Sequence, residues 1–210
     1  MNAKVKFCTE KCIDGDARCC FLTEDNRCQL AASREQATAE REAEFLQIMR
    51  GIILPGELLV YLRESGYFEA PASLKYHGAY DGGLFDHSRA VTHQLLDLSG
   101  RLNLDWERDR SPRIVGMFHD LCKLDDYKRG ASGIWEYKNA SLIPGHAEKT
   151  LCILQQFMTL TEEEMLCIRW HMGAFDDKEK WAFYGRAIEK YPNVLYTHTA
   201  DMIASRIMGV

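Results

Sequence analysis

The sequence has no apolar run approaching the ~18–20 residues that a membrane helix needs. Its first residues, Met1 to Phe7, alternate charged and small side chains and carry no apolar signal-peptide stretch. These absences argue against a membrane partner and predict a cytoplasmic protein, where thiols stay reduced. There is no internal repeat, long linker or low-complexity segment, and strand signals are weak throughout. No histidine occurs before residue 77, and no cysteines stand in the Cys-x2-Cys pairing that usually marks zinc.

What is present is an ordinary soluble composition. The 210 residues are 46% hydrophobic and 27% charged, enough apolar material for a sizeable core. The net charge of -5 excludes a general nucleic-acid coat, although a local basic patch can still hold phosphate. Five of the 8 cysteines fall before residue 29, whereas all 7 histidines lie beyond residue 76.

Three regions follow. Residues 1–32 form a small Cys-rich N-terminal appendage. Residues 33–67 predict helices that pack on the core, with Ser33 as a cap, Phe45, Ile48, Met49 and Ile52 at helical spacing, and a break at Pro55-Gly56. Residues 68–210 predict an all-α bundle. Its helices are expected over Leu84 to Leu98, Arg113 to Leu124, His146 to Met158, Thr161 to His171, Trp181 to Lys190 and from Pro192 onward. Tyr127 to Ser141 reads as a loop or short hairpin. Thr161 and Glu164 have the spacing of a capping box.

The chemistry lies in where polar residues interrupt apolar stripes. His87 shares a stripe with Leu84 and Val91; His119-Asp120 follows Ile114, Met117 and Phe118; Asp201 sits in Thr-Ala-Asp-Met-Ile-Ala. A buried ionised aspartate is costly unless it is paired or bound to a cation. Two imidazoles and two carboxylates facing one core relieve that cost by holding a divalent ion.

His87, then His119-Asp120, then Asp201 resemble the H…HD…D signature of the HD-domain metal-dependent phosphohydrolases, over roughly residues 68–208. The pair lies in Met-Phe-His-Asp-Leu-Cys-Lys-Leu, similar to that family's hydrophobic–His-Asp–x–x–Lys helix, with Cys122 where glycine is common. The stretch from His77 to His87 resembles the HD segment of bacterial 3′–5′ exoribonucleases. Pro144 to Lys149 and Ile168 to Gly173 resemble small HD proteins of phages and mobile elements.

The resemblance implies an HD-domain helical bundle that is a hydrolase. It implies His87, His119, Asp120 and Asp201 as metal ligands. Some HD enzymes hold a second ion with two further histidines, which His146 and His171 match, with Asp120 bridging both ions. The alternative for these two is phosphate contact or helix capping. Imidazole with carboxylate admits Fe, Mn, Zn, Ni or Co. The implied chemistry is metal-assisted attack of water on a phosphoester or phosphoanhydride.

Asp120 and Lys123 are the expected catalytic groups, Lys123 reaching phosphate from three residues along; Lys149 stands in the same relation to His146, and a solvated surface charge is the alternative for each lysine. His77 is the expected proton donor to the leaving oxygen or a phosphate contact, with a surface loop histidine as the alternative. His198, Glu148 or Asp86 would orient a ligand histidine. Lys128, Arg129, Trp135, Tyr137 and Lys138 form either a pocket wall for nucleobase and phosphate or a packed loop with solvated lysines.

Cys8, Cys12, Cys19, Cys20 and Cys28 supply enough thiols for a structural zinc, with unligated thiols and disulfides as the alternatives. Cys122, Cys152 and Cys167 read as small core residues. The expected substrate is a nucleotide or another small phosphate compound. Short single-stranded nucleic acid (a nuclease) and a non-catalytic, metal-stabilised binding module are the competing readings.

Overall fold

The computed structural model describes residues 29–130, 133–138 and 142–210. The five cysteines from Cys8 to Cys28 lie outside those residues, as do the zinc and disulfide readings that rest on them. Helix α1 spans Gln29–Ile48 and α2 Gly56–Glu64. The expected bundle follows as α3 Gly83–Leu102, α4 Ser111–Phe118, a short α5 Lys123–Asp126, α6 His146–Leu154, α7 Glu162–Arg169, α8 Trp181–Lys190 and α9 Asn193–Met202. A π-helical stretch, Ile203–Met208, continues from α9. The chain is mostly helical; among the described residues the sheet content is one antiparallel hairpin, β1 Tyr127–Arg129 and β2 Trp135–Tyr137, with Lys128 opposite Glu136. No helix among the described residues is long and apolar enough to cross a membrane.

Two helix bounds differ from the pattern-based ones in ways that matter. α1 is already helical at Gln29, so Ser33 lies inside it and not at its cap. α4 stops at Phe118 where an unbroken helix to Leu124 was expected. The reason is local. The Cys122 amide donates to Thr150 Oγ1 at 3.1 Å, and the Leu121 amide bonds only three residues back, to Phe118. The ladder therefore tightens into a turn over 119–122, which carries Asp120. At the start of α7 the expected capping box is formed: Thr161 Oγ1 accepts from the Glu164 amide, and the Glu164 carboxylate accepts from the Thr161 amide.

The core sits where the N-terminal helices meet the bundle. Phe45 of α1 packs with Tyr67, Phe68 and Phe118, its ring centroids 5.7–6.1 Å from theirs. Leu58 and Leu62 of α2 join the same cluster. Burying each of these large side chains is worth roughly 1.5–3 kcal/mol. The Tyr67 hydroxyl donates to the Met117 carbonyl at 2.5 Å, tying the loop after α2 to α4. Cys122 and Cys167 are buried as expected, but Cys152 is exposed.

Candidate metal centre

Gly116 sets the spacing of the site. A Cβ at Gly116 would lie 2.4 Å from Thr92 Oγ1 and 2.6 Å from Thr92 Cα. Only a residue without a side chain lets α4 lie this close to α3. That approach brings His87 of α3 against His119 at the end of α4, their Nε2 atoms 3.1 Å apart. Asp201 comes from α9, with Oδ1 at 3.3 Å from His87 Nε2. His146 opens α6 after Gly145, and its Nε2 meets Asp120 Oδ1 in a close contact. His171, two residues past α7, places Nε2 3.5 Å from the same oxygen.

The six residues form two adjacent groups. His87, His119 and Asp201 make one, and Asp120, His146 and His171 the other; within each group the donor atoms lie within 4.8 Å of one another. Asp120 thus falls with the two additional histidines. All six are buried except His146, which is half-buried.

Three backbone carbonyls orient the imidazoles. His87 Nδ1 donates to Val210 O (2.9 Å), His119 Nδ1 to Gly116 O (2.9 Å) and His171 Nδ1 to Ile168 O (2.7 Å). A carbonyl can only accept, so each Nδ1 carries the proton. Each Nε2 then turns a lone pair inward, toward the other imidazoles and the carboxylates. His171 Nε2 is buried without a hydrogen-bond partner, an arrangement that costs about 1–3 kcal/mol if left so.

The electrostatics agree. Burial pushes the His119 imidazole down to about 4, so it is neutral at pH 7. For His87, burial is outweighed by the adjacent Asp201 carboxylate, which raises it. Burial also opposes ionisation of Asp201, yet the adjacent His87 and the surrounding imidazoles hold it at about 2. Asp120 stays well below the carboxylate range against its own burial, through the charges of His146 and Lys123 and the bond from His146. Two ionised carboxylates in a ring of inward lone pairs call for positive charge at their centre.

A divalent cation fits this donor set. Ligands at about 2.0–2.2 Å from one ion lie ~3 Å from each other, close to the spacing of His87 from His119 and from Asp201. His119 is held in the neutral form that ligation requires, and the orphaned His171 Nε2 would gain a partner.

The remaining expected residues sort clearly. Lys123 is half-buried, 5.8 Å from the Tyr127 ring centroid and without an ion pair among the described residues. His77 stacks beside His87 with centroids 4.8 Å apart, and its imidazole is held below its ordinary value by burial and by His87. Lys149 is not free for phosphate: it is buried against Asp126 and Asp125. Glu148 pairs with Arg169 at 2.8 Å, and Asp86 with Arg41 and Arg89, so neither orients a ligand. His198 acts on backbone, donating Nδ1 to the His171 carbonyl at 2.8 Å. Lys128 pairs with Glu136, Arg129 with Asp81, and Lys138 donates to Leu124 O, so the hairpin is a packed loop.

Sequence reasoning missed Cys122 and Asp126. With His146 they form a third potential ligand group, Cys122 Sγ lying 3.1 Å from His146 Nδ1. The signal was available: Cys122 and Asp126 are two and six residues beyond Asp120, on the turn and helix that follow it. Comparison with protein-family models, with curated proteins and with solved structures returns no match for the chain, so the reading of this centre rests on its own residues.

Proposed function

We propose that this chain is a metal-dependent phosphohydrolase of the HD type, acting on a small phosphate ester. The observation that carries the reading is the inward convergence of three Nε2 lone pairs on two ionised, buried carboxylates, with His171 Nε2 left orphaned. His87, His119 and Asp201 would hold one cation and Asp120, His146 and His171 a second; Fe, Mn, Zn, Ni or Co suit these donors. Such ions, when bound, acidify water and neutralise phosphoryl charge.

The chain supplies the rest. In hydrolysis a water oxygen bonds to phosphorus, the ester P–O bond breaks, and the departing alcohol oxygen takes a proton. His77, beside His87 at the edge of the centre, is positioned to take up the proton lost by the attacking water and pass it to that oxygen. Lys123 makes no ion pair among the described residues, and its charge already acts on Asp120, so it can turn to a phosphoryl oxygen. Burial keeps bulk water from the carboxylates, which strengthens both interactions.

The test is metal analysis of protein purified without chelator, alongside p-nitrophenyl phosphate hydrolysis, for the native chain and Asp120→Ala. Two metal ions per chain with turnover, and loss of both properties in Asp120→Ala, is the expected result. A metal-free native protein rejects the reading. Metal without turnover of any phosphoester leaves a metal-stabilised binding module.

A further inference from the structure

Beside Asp201 lies a pocket of about 100 Å3 lined by His77, Met172, Phe175, His198, Met202, Ser205 and Arg206. Sites that enclose a whole drug-sized ligand are about 300–1,000 Å3. This one takes a single small group, the size of a phosphoryl, and leaves the rest of the molecule outside.

Two residues stand at its mouth. Phe175 is 60% exposed, an apolar ring with an open face. Arg206 is exposed and makes no ion pair or hydrogen bond among the described residues; its guanidinium lies 5.7 Å from the Phe175 centroid. By contrast Arg169, the nearest other arginine in sequence to His171, is held between Glu148 and Asp176.

The π-helical winding explains why Arg206 is here. In an α-helix, five residues carry a side chain about 140° around the axis from its starting face. The wider turns of Ile203–Met208 reduce that rotation, and Arg206 lines the same pocket as Asp201. Ser205 Oγ, donating to the Asp201 carbonyl at 2.8 Å, fastens the same stretch.

We infer that Phe175 and Arg206 are the specificity-determining residues of this site, selecting a phosphomonoester whose organic part carries a flat ring. The inference rests on the metal-dependent hydrolysis proposed above. The terminal phosphoryl enters the pocket beside Asp201, Arg206 pairs with its outer oxygens, and the ring stacks on Phe175.

The experiment uses the full chain with Mn2+, measuring calorimetric binding and phosphate release with adenosine 5′-monophosphate and with ribose 5-phosphate, which lacks the ring. The native protein should bind the ring-bearing compound about tenfold or more tightly than the other. Phe175→Ala should erase that preference, lowering affinity for adenosine 5′-monophosphate more than affinity for ribose 5-phosphate. Arg206→Ala should weaken both by about tenfold or more, with partial recovery in Arg206→Lys. Equal native affinity for the two compounds, binding of neither, or a preference that survives Phe175→Ala overturns the inference. Ring-selective binding without phosphate release would reject hydrolysis and keep the pocket. Equal turnover of both compounds by native and variant proteins would keep hydrolysis and reject the pocket.

Discussion

Helix α7 has buried acids at both ends of its reach, and they are treated in opposite ways. In its first turn, Glu163 and Glu164 are 2% and 0% exposed. Every carboxylate oxygen there has a donor. Arg110 meets Glu164 with Nε and Nη2, each at 3.0 Å, Ser111 Oγ adds a bond at 3.1 Å, and the Thr161 amide one at 2.9 Å. Glu163 accepts from the Glu107 amide at 2.8 Å and Asn193 Nδ2 at 2.7 Å. Past the other end, His171 joins Asp120, Asp201 and the inward-facing imidazoles, where acceptors outnumber donors. Buried charge alone therefore does not distinguish a site from a structural staple. The distinction lies in whether the donors and acceptors match.

The sharpest way to test the contrast is to remove one carboxylate from each cluster. Asp120→Ala should lower the proposed hydrolysis by at least about 10³-fold and lose the ion of its own ligand group, while circular dichroism and the metal-free melting midpoint stay close to native. Glu164→Ala should do the reverse. It strands Arg110 and uncaps α7, costing about 2–4 kcal/mol in denaturant unfolding, with metal content unchanged. If Glu164→Ala lost metal at native stability, the two clusters would not be separable.

A substitution between the two behaviours is Gly116→Ala. Its Cβ would overlap Thr92 and spread α3 from α4, with a stability cost of about 1–3 kcal/mol and weaker metal retention, both measurable in one sample. Gly173 is similar but more local. Its φ of +54° and a Cβ only 2.6 Å from the His198 ring mean that Gly173→Ala should cost about 1–2 kcal/mol and loosen His171 through the His198 bond.

The smallest effect concerns pH. Burial raises the Asp176 carboxyl, but Arg169 and Lys180 bind its anion and set it below its ordinary value. A depressed folded value means stability present at neutral pH and lost as pH falls below that of the unfolded carboxyl. Asp176→Asn should remove about 1 kcal/mol at pH 7 and flatten the acid limb of the stability curve, read by urea titrations at pH 3 to 7.

Much of this was legible in the residues. Period and punctuation marked Pro55-Gly56, the capping box at Thr161, and α8 to the residue. Polar residues on apolar stripes marked His87, His119, Asp120 and Asp201. What pattern could not give was anything decided by a partner distant in sequence. Thr150 breaks α4 after Phe118, Asp126 takes Lys149, and the His171 carbonyl takes His198. Each of those bonds spans 23 to 28 residues, beyond the reach of helical periodicity.

The donors of the candidate centre come from five separate stretches between residues 87 and 201. No short piece of a growing chain can assemble them, so capture of a cation must wait for the slow, long-range packing of α3, α4, α6, α7 and α9. Its binding free energy then accrues only to the finished fold. In a cell, scarcity of metal would be felt first as a shorter lifetime of the protein, through more frequent opening to proteases, and not as a failure to fold.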